Sequence, residues 1–320
     1  MPCGGRADHG LPDERPTDAS HQGAPRGSRE ECAMNQALRH AGLAAVLLIL
    51  ATAGTATGAD GSGFDNAKLY YVSLGDSLAA GVQPIGDPTD LYRTDAGYAE
   101  QLLAVARVNS PKLALIKLGC PGETTATMVA GGICPYPHGS QLDEAIAFLH
   151  AHRSKVAFVT IDIGANDFPC QEAQCIPAGV ASISSNLPTI LVALRRAAGP
   201  DVPIVGMTIY NPFLAAWLLG PDGQDYARLS ATQLMGLVNA LLRGLYEGAG
   251  VGVADVETAF SSNDFDTLVE LPGAGTVPLN VAKICIWTWV CAPPPLGPDN
   301  HPNAAGYGAI AGAFALTLGL

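Results

Sequence analysis

The chain has 320 residues, 48% hydrophobic and 14% charged, a globular composition rather than a disordered one. Its formal net charge of −12 repels nucleic acid and anionic membrane surfaces. No Lys/Arg cluster offsets that charge, so neither a nucleic-acid partner nor a polybasic membrane anchor is expected.

Residues 1–33 are rich in Pro, Gly and charge without periodicity, and read as disorder or as a mis-assigned start. Met34 begins a better pattern: a short basic stretch through His40, an apolar stretch Leu43–Leu50, then small residues through Ala59. That is the layout of a secretory signal peptide, residues 34–58, with cleavage expected between Ala53 and Ala59. The apolar part is shorter than the roughly 20 residues a bilayer requires. Residues 59–320 are therefore expected to form one secreted domain with no stable membrane span, acting as a monomer.

In the mature part, Leu69–Leu74 is a buried strand, followed by an amphipathic helix over 96–108 and a second strand, Leu113–Leu118. A helix over 141–152 leads to Val156–Ile163, the strongest β signal. A helix within 178–198, a strand Pro203–Tyr210, the longest helix over 225–247 and a weaker strand Val251–Val256 follow. The last helix starts near Asn303 and is expected to pack through Ile310, Phe314 and Leu316. Strands alternating with helices imply a three-layer αβα sandwich around a five-stranded, mostly parallel, flavodoxin-like sheet. In such a sheet the functional site lies beyond the carboxyl ends of the strands.

The polar motifs fall there. Gly75-Asp76-Ser77-Leu78 follows strand one, Gly119-Cys120-Pro121-Gly122 follows strand two, and Gly164-Ala165-Asn166-Asp167 follows strand three. Asp299-Asn300-His301-Pro302-Asn303 opens the last helix. A serine hydroxyl is a weak nucleophile that needs a base, and an imidazole titrating near neutrality suits that role. Ser77 and His301 are the catalytic candidates. A tetrahedral intermediate needs placed donors. The candidates are the N–H of Ser77, expected to open a helix, the N–H of Gly122 and the side-chain amide of Asn166.

These four blocks, in this order, resemble the SGNH or GDSL hydrolases, especially the secreted actinobacterial lipases and esterases, from about Tyr70 to Tyr307. The resemblance implies a flavodoxin-like sheet, hydrolysis of acyl esters and no cofactor or metal. It implies Ser77 as nucleophile, Gly122 and Asn166 as oxyanion residues and His301 as catalytic histidine. A Gly-x-Ser-x-Gly elbow is missing, which argues against an α/β-hydrolase proper.

One departure stands out. Most family members carry the acidic partner three residues before the histidine, where this chain has Pro298. Either Asp299 reaches the imidazole or a main-chain carbonyl within Cys291–Asp299 orients it. The one-residue slip favours the carbonyl.

Six cysteines follow the signal peptide: Cys120, Cys134, Cys170, Cys175, Cys285 and Cys291. In an exported chain they point to disulfides, and sequential pairing is favoured because each partner lies on the same loop. The resembled branch implies the same three bridges. The spacings do not repeat a CxxC knuckle, so a metal site is not expected.

Other residues admit blander readings. Asp76 and Asp167 read as loop hydrogen-bonders, and His138, His150 and His152 as surface or structural. Trp287 and Trp289 line an acyl pocket or pack under a disulfide loop. Phe213, Leu214, Trp217, Leu218 and Leu219 are core, or the exposed face of a lid. The activity expected is cleavage of lipid or other acyl esters; the alternatives are a carbohydrate acetylesterase and a non-catalytic binding protein.

Overall fold

The computed structural model describes residues 68–168 and 175–320. The tail and signal peptide expected over 1–58, and Cys170, lie outside the described residues.

Five parallel strands form one sheet: β1 (Tyr70–Gly75), β2 (Ala114–Lys117), β3 (Val156–Asp162), β4 (Ile204–Met207) and β5 (Gly252–Ala254), in the order β2-β1-β3-β4-β5. This is the flavodoxin-like order, with its switch point between β1 and β3. β3 is buried along its whole length, which is why it reads as a continuous apolar run rather than an alternation. Successive side chains feed opposite cores: Tyr71 faces one layer, and Val72 and Leu74 face the other.

Helices cover both faces. On one lie α1 (Tyr98–Ala106) and, further along the chain, the last helix, Ala304–Leu318, where Tyr98 stacks on Phe314 at 5.0 Å. α2 (Thr125–Ala130), α3 (Gln141–His152) and α4 (Ile176–Ala198) belong to the other face. α4 is long and apolar enough to cross a membrane, but Ile183, Leu187, Ile190, Leu191 and Leu194 are buried in the core. α3 begins where sequence puts it because Ser140 accepts the Asp143 N–H, satisfying one of the free donors of the first turn.

The longest helix is α4, not the segment over 225–247. That segment is divided into α5 (Pro221–Leu229), a π-helical stretch (Ser230–Met235) and α6 (Gly236–Gly248). The cause is local. The Ser230 hydroxyl donates to the Ala227 carbonyl and accepts from Asn211, Thr232 donates to the Arg228 carbonyl, and the Gly236 N–H bonds five residues back to Ala231. Hydroxyls that compete for helix carbonyls open the ladder by one residue.

The chain then adds α7 (Val256–Ala259), an antiparallel hairpin of β6 (Leu268–Leu271) and β7 (Gly275–Pro278), α8 (Leu279–Trp287) and α9 (Ala304–Leu318). The hairpin and α8 carry no strong periodicity and were not expected. In α9, Ile310 and Phe314 are buried as expected, but Leu316 is 84% exposed. It lies two residues past Phe314, on the opposite side of a helix with 3.6 residues per turn.

Disulfides join Cys120 to Cys134 and Cys285 to Cys291. Cys175 is also disulfide-bonded. Such bridges are compatible with an oxidising, extracellular setting.

Candidate active site

Ser77 follows β1 directly. Gly75 ends the strand at φ +142°, and a Cβ there would sit 2.2 Å from the Asp162 carbonyl. The side chain of Gln141 grips Gly75 at both backbone groups, accepting its N–H at 2.7 Å and donating to its carbonyl at 2.9 Å. The helix expected at Ser77 is instead a set of turns. Asp76 takes the Leu78 N–H at 2.9 Å, Asp162 takes the N–H groups of Asp76 and Ala79 at 3.3 Å, and Gly81 closes the segment at φ +70°. Among the described residues no acceptor meets the N–H of Ser77, so it remains available.

Ser77, Asn166 and His301 line one cleft of about 350 Å³ at the carboxyl ends of β1 and β3. The wall facing them is largely apolar, with Ile176, Ile209, Phe213, Leu234, Met235 and Val238. The π-helical stretch and the first turn of α6 supply the last three, so the break in that helix shapes the cleft. No hydrogen bond joins the Ser77 hydroxyl to the His301 ring; such bonds are often long without substrate.

His301 is fixed by its own segment. Nδ1 lies 2.9 Å from Asp299 Oδ1, and the same oxygen accepts the His301 backbone N–H at 2.8 Å. The carboxylate, rather than the favoured carbonyl, therefore occupies the orienting position. An Asx-type turn brings Asp299 back over two residues, so a one-residue slip does not carry it away. Burial raises the Asp299 carboxyl, but the hydrogen bonds and charge of His301 outweigh burial and hold it below the usual carboxylate range. The segment is anchored by the Tyr210 hydroxyl, which donates to the Asn300 carbonyl at 2.7 Å.

Asn166 lies on the cleft wall, where Nδ2 donates to the Glu123 carbonyl at 3.0 Å and to Asp76 Oδ2 at 3.3 Å. Gly122, at φ +82°, is exposed and does not line the cleft, although Asn166 ties the adjoining residue to it. Among the described residues the Gly122 N–H also meets no acceptor, and a Cβ there would meet nothing within 4 Å.

A family model, the GDSL-like lipase/acylhydrolase family, matches residues 73–309, from the strand before Ser77 past His301. The chain belongs to this family. It is thus an ester hydrolase, built on the five-stranded parallel α/β sheet described above. No curated protein matches the chain. Among solved structures it is similar to an alpha/beta hydrolase enzyme from the metagenome of Lake Arreo, at 18% identity and a TM-score of 0.48, covering 78% of this chain and 94% of that one. It is similar to an acetylxylan esterase from Geobacillus stearothermophilus, at 16% identity and a TM-score of 0.47, with coverage of 78% and 94%. It is also similar to phospholipase A1 from Streptomyces albidoflavus, at 19% identity and a TM-score of 0.49, with coverage of 78% and 99%.

In this GDSL-type chain the remaining residues sort by packing. Asp167 is a structural acceptor: it takes the Thr125 N–H at 2.9 Å and the Thr125 and Ser182 hydroxyls at 2.5 Å. Neither Trp287 nor Trp289 lines the cleft. Trp287 packs edge-on to Phe260, and the Trp289 indole N–H donates to Gln83. Leu214 is core and Phe213 lines the cleft. Trp217 lies under the Arg228 guanidinium, while Leu218 and Leu219 are exposed. Neither the core nor the lid reading describes the whole segment. His138 pairs with Glu144 at the surface. Among the described residues no cluster of three or more His, Cys, Asp or Glu side chains could hold a metal.

Sequence reasoning passed over Gln141 and Asp162. The available signal was a lone acid in the apolar run Val-Thr-Ile-Asp-Ile, immediately before Gly-Ala-Asn-Asp.

Proposed function

We propose that the chain is exported and hydrolyses carboxylic esters of lipids or other acyl groups through an acyl-Ser77 intermediate. The observation that carries this reading is the placement of Ser77 and His301 on one cleft, with His301 Nδ1 held by Asp299. With Nδ1 protonated and facing the carboxylate, Nε2 is the free base. It takes the Ser77 proton as the oxygen attacks the ester carbonyl, then delivers that proton to the departing alcohol. Water, deprotonated by the same nitrogen, attacks the acyl-serine, and the Ser77 oxygen recovers the proton as the acid leaves.

The oxyanion is received by the free N–H of Ser77, and by that of Gly122 once its exposed loop turns toward the cleft. Asn166 joins them by releasing its longer, 3.3 Å bond to Asp76. A neutral donor gains more from a full negative charge than from that stretched contact. The apolar wall opposite favours an acyl chain over a bare acetyl group.

Turnover of p-nitrophenyl acyl esters by the mature protein tests the reading, and full activity in Ser77→Ala would falsify it. Higher rates on acetylated xylan than on long acyl esters support the acetylesterase alternative. Failure of a fluorophosphonate to label Ser77 supports the binding-protein alternative. Appearance of the mature chain in the culture medium, cut between Ala53 and Ala59, tests export.

A further inference from the structure

Behind the Ser77 loop two carboxyl groups are sealed in the protein. Asp76 and Asp162 are each 2% exposed or less. The Asp76 backbone N–H donates to Asp162 Oδ2 at 3.3 Å, which sets the two side chains next to each other. Between them they shape the loop. Asp162 Oδ2 takes the N–H groups of Asp76 and Ala79, Asp162 Oδ1 takes the Tyr98 hydroxyl at 2.5 Å, and Asp76 Oδ1 takes the Leu78 N–H. The residues on both sides of Ser77 thus hang from this pair, and Gly75 packs against Asp162 with no room for a side chain.

Among the described residues no lysine or arginine is ion-paired to either acid, and Glu123 stands as a further acid beside Asp76. The phenols facing it are Tyr71 on β1, Tyr98 on α1, Tyr210 after β4, Tyr246 on α6 and Tyr307 on α9, all buried and all pushed up, first by burial. Asp167 opposes ionisation of Asp76, and His301 favours it when protonated. Two adjacent carboxyls buried from solvent resist ionising together near neutrality.

We propose that Asp162 is a positioning residue for the nucleophile: with Asp76 it holds one proton behind Ser77, and that shared proton keeps the Ser77 loop in shape. Two neighbouring carboxyls sealed from solvent, with no cation paired to either among the described residues, avoid two adjacent buried charges by keeping one proton. Burial raises both carboxyls above their ordinary range, and the charge of Asp76 raises Asp162 further. Loss of the proton would set two negative charges side by side, and the loop carrying Ser77 is the element that can give.

The test has two arms. In the first, unfolding free energy is measured against pH for the wild type and Asp162→Asn. A proton bound only by the folded state makes the wild-type folding constant fall about tenfold per pH unit relative to the variant, from the ordinary Asp range upward. Parallel curves overturn the proposal. In the second, fluorophosphonate labelling of Ser77 is followed against pH. The wild type loses labelling on the alkaline side, Asp162→Asn keeps it to higher pH, and Asp162→Ala loses it throughout. Identical alkaline limbs in the wild type and Asp162→Asn overturn the positioning role. The labelling arm rests on Ser77 being the nucleophile; the proton count does not, so the two readings fail separately. Should Asp162→Asn not fold, infrared spectra of the wild type at neutral pH decide. A protonated carboxyl band that persists in Glu123→Gln supports the shared proton, and its absence overturns it.

Discussion

Asp299 Oδ1 holds His301 twice, at the ring Nδ1 and at the backbone N–H. One oxygen therefore fixes both the direction of the ring and the turn that presents it. Asp299→Asn keeps the size of the side chain but offers an amide in place of a charge. It is expected to lower kcat by about 10²–10⁴-fold, with a smaller change in KM, because the wrong imidazole tautomer is favoured. Steady-state kinetics on a p-nitrophenyl ester check this. The carboxyl lies below the usual range in the folded protein, so its contribution to stability is complete above the ordinary Asp range. That contribution is lost as pH falls through the lowered value. A wild-type advantage over Asp299→Asn in thermal stability that disappears on acidification is the expected outcome.

Two glycines at positive φ should respond differently to alanine. Gly75→Ala drives a Cβ into the Asp162 backbone and is expected to cost about 3 kcal/mol or more, or to prevent folding. Gly122→Ala meets open space and pays only for its backbone conformation, about 1–2 kcal/mol. Denaturant melts of the two variants give the comparison. A fall in kcat for Gly122→Ala larger than its loss of stability explains would place its N–H at the reaction centre.

Asp167 ties three elements together: its own loop after β3, the start of α2 and the second turn of α4. Asp167→Ala leaves the Thr125 N–H and two hydroxyls without their buried acceptor. A loss of roughly 2–4 kcal/mol is expected. Chemical denaturation measures it, and an unchanged pH profile of the remaining activity would agree with a structural role.

The Cys285–Cys291 bridge encloses the strip on which the histidine segment lies. The Trp289 N–H donates to the His301 carbonyl at 3.0 Å, the Asn303 N–H to the Trp287 carbonyl at 2.9 Å, and the Asp299 N–H to the Trp289 carbonyl at 3.2 Å. Replacing both cysteines by serine is expected to lose about 2 kcal/mol for so short a loop. The same change should lower kcat more than it raises KM, since the strip positions the base rather than the substrate. Kinetics and thermal melts on the double variant separate the two effects.

If the apolar wall receives an acyl chain, kcat/KM should rise about fourfold per methylene until the cleft is filled, the factor for burying one CH₂ at ~0.8 kcal/mol. Val238→Trp should end that rise at a shorter chain, costing far more on long esters than on acetate. A series of p-nitrophenyl esters from acetate upward gives the profile. A flat series would remove the acyl-chain reading of this wall.

The five strands and the four polar blocks behind them were legible because both follow from local patterning. Buried parallel strands are continuous apolar runs, and polar Gly-rich stretches after them have few other places to go. Ser77, Asn166 and His301 thus reach one cleft as the order of blocks implied. The hairpin of β6 and β7 was not legible, because the exposed Leu268 hides in the sequence the alternation that Val269 and Leu271 follow in burial. The break at Ser230 depends on Asn211, distant in sequence, so no window along the helix reveals it.

The partner of His301 marks the boundary. Sequence spacing alone left Asp299 and a carbonyl in competition and leaned to the carbonyl, because spacing does not say how a turn folds back. In the tertiary structure it is Asp299 Oδ1 that meets both the ring Nδ1 and the backbone N–H of His301. Asp162 shows the same limit from the other side. In sequence it is one acid in a hydrophobic strand. Only the packing of β1 against β3, with Tyr98 laid across them, places it beside Asp76, sealed from solvent. Periodicity along the chain determined which residues are buried; contacts between distant segments determined what a buried carboxyl has beside it.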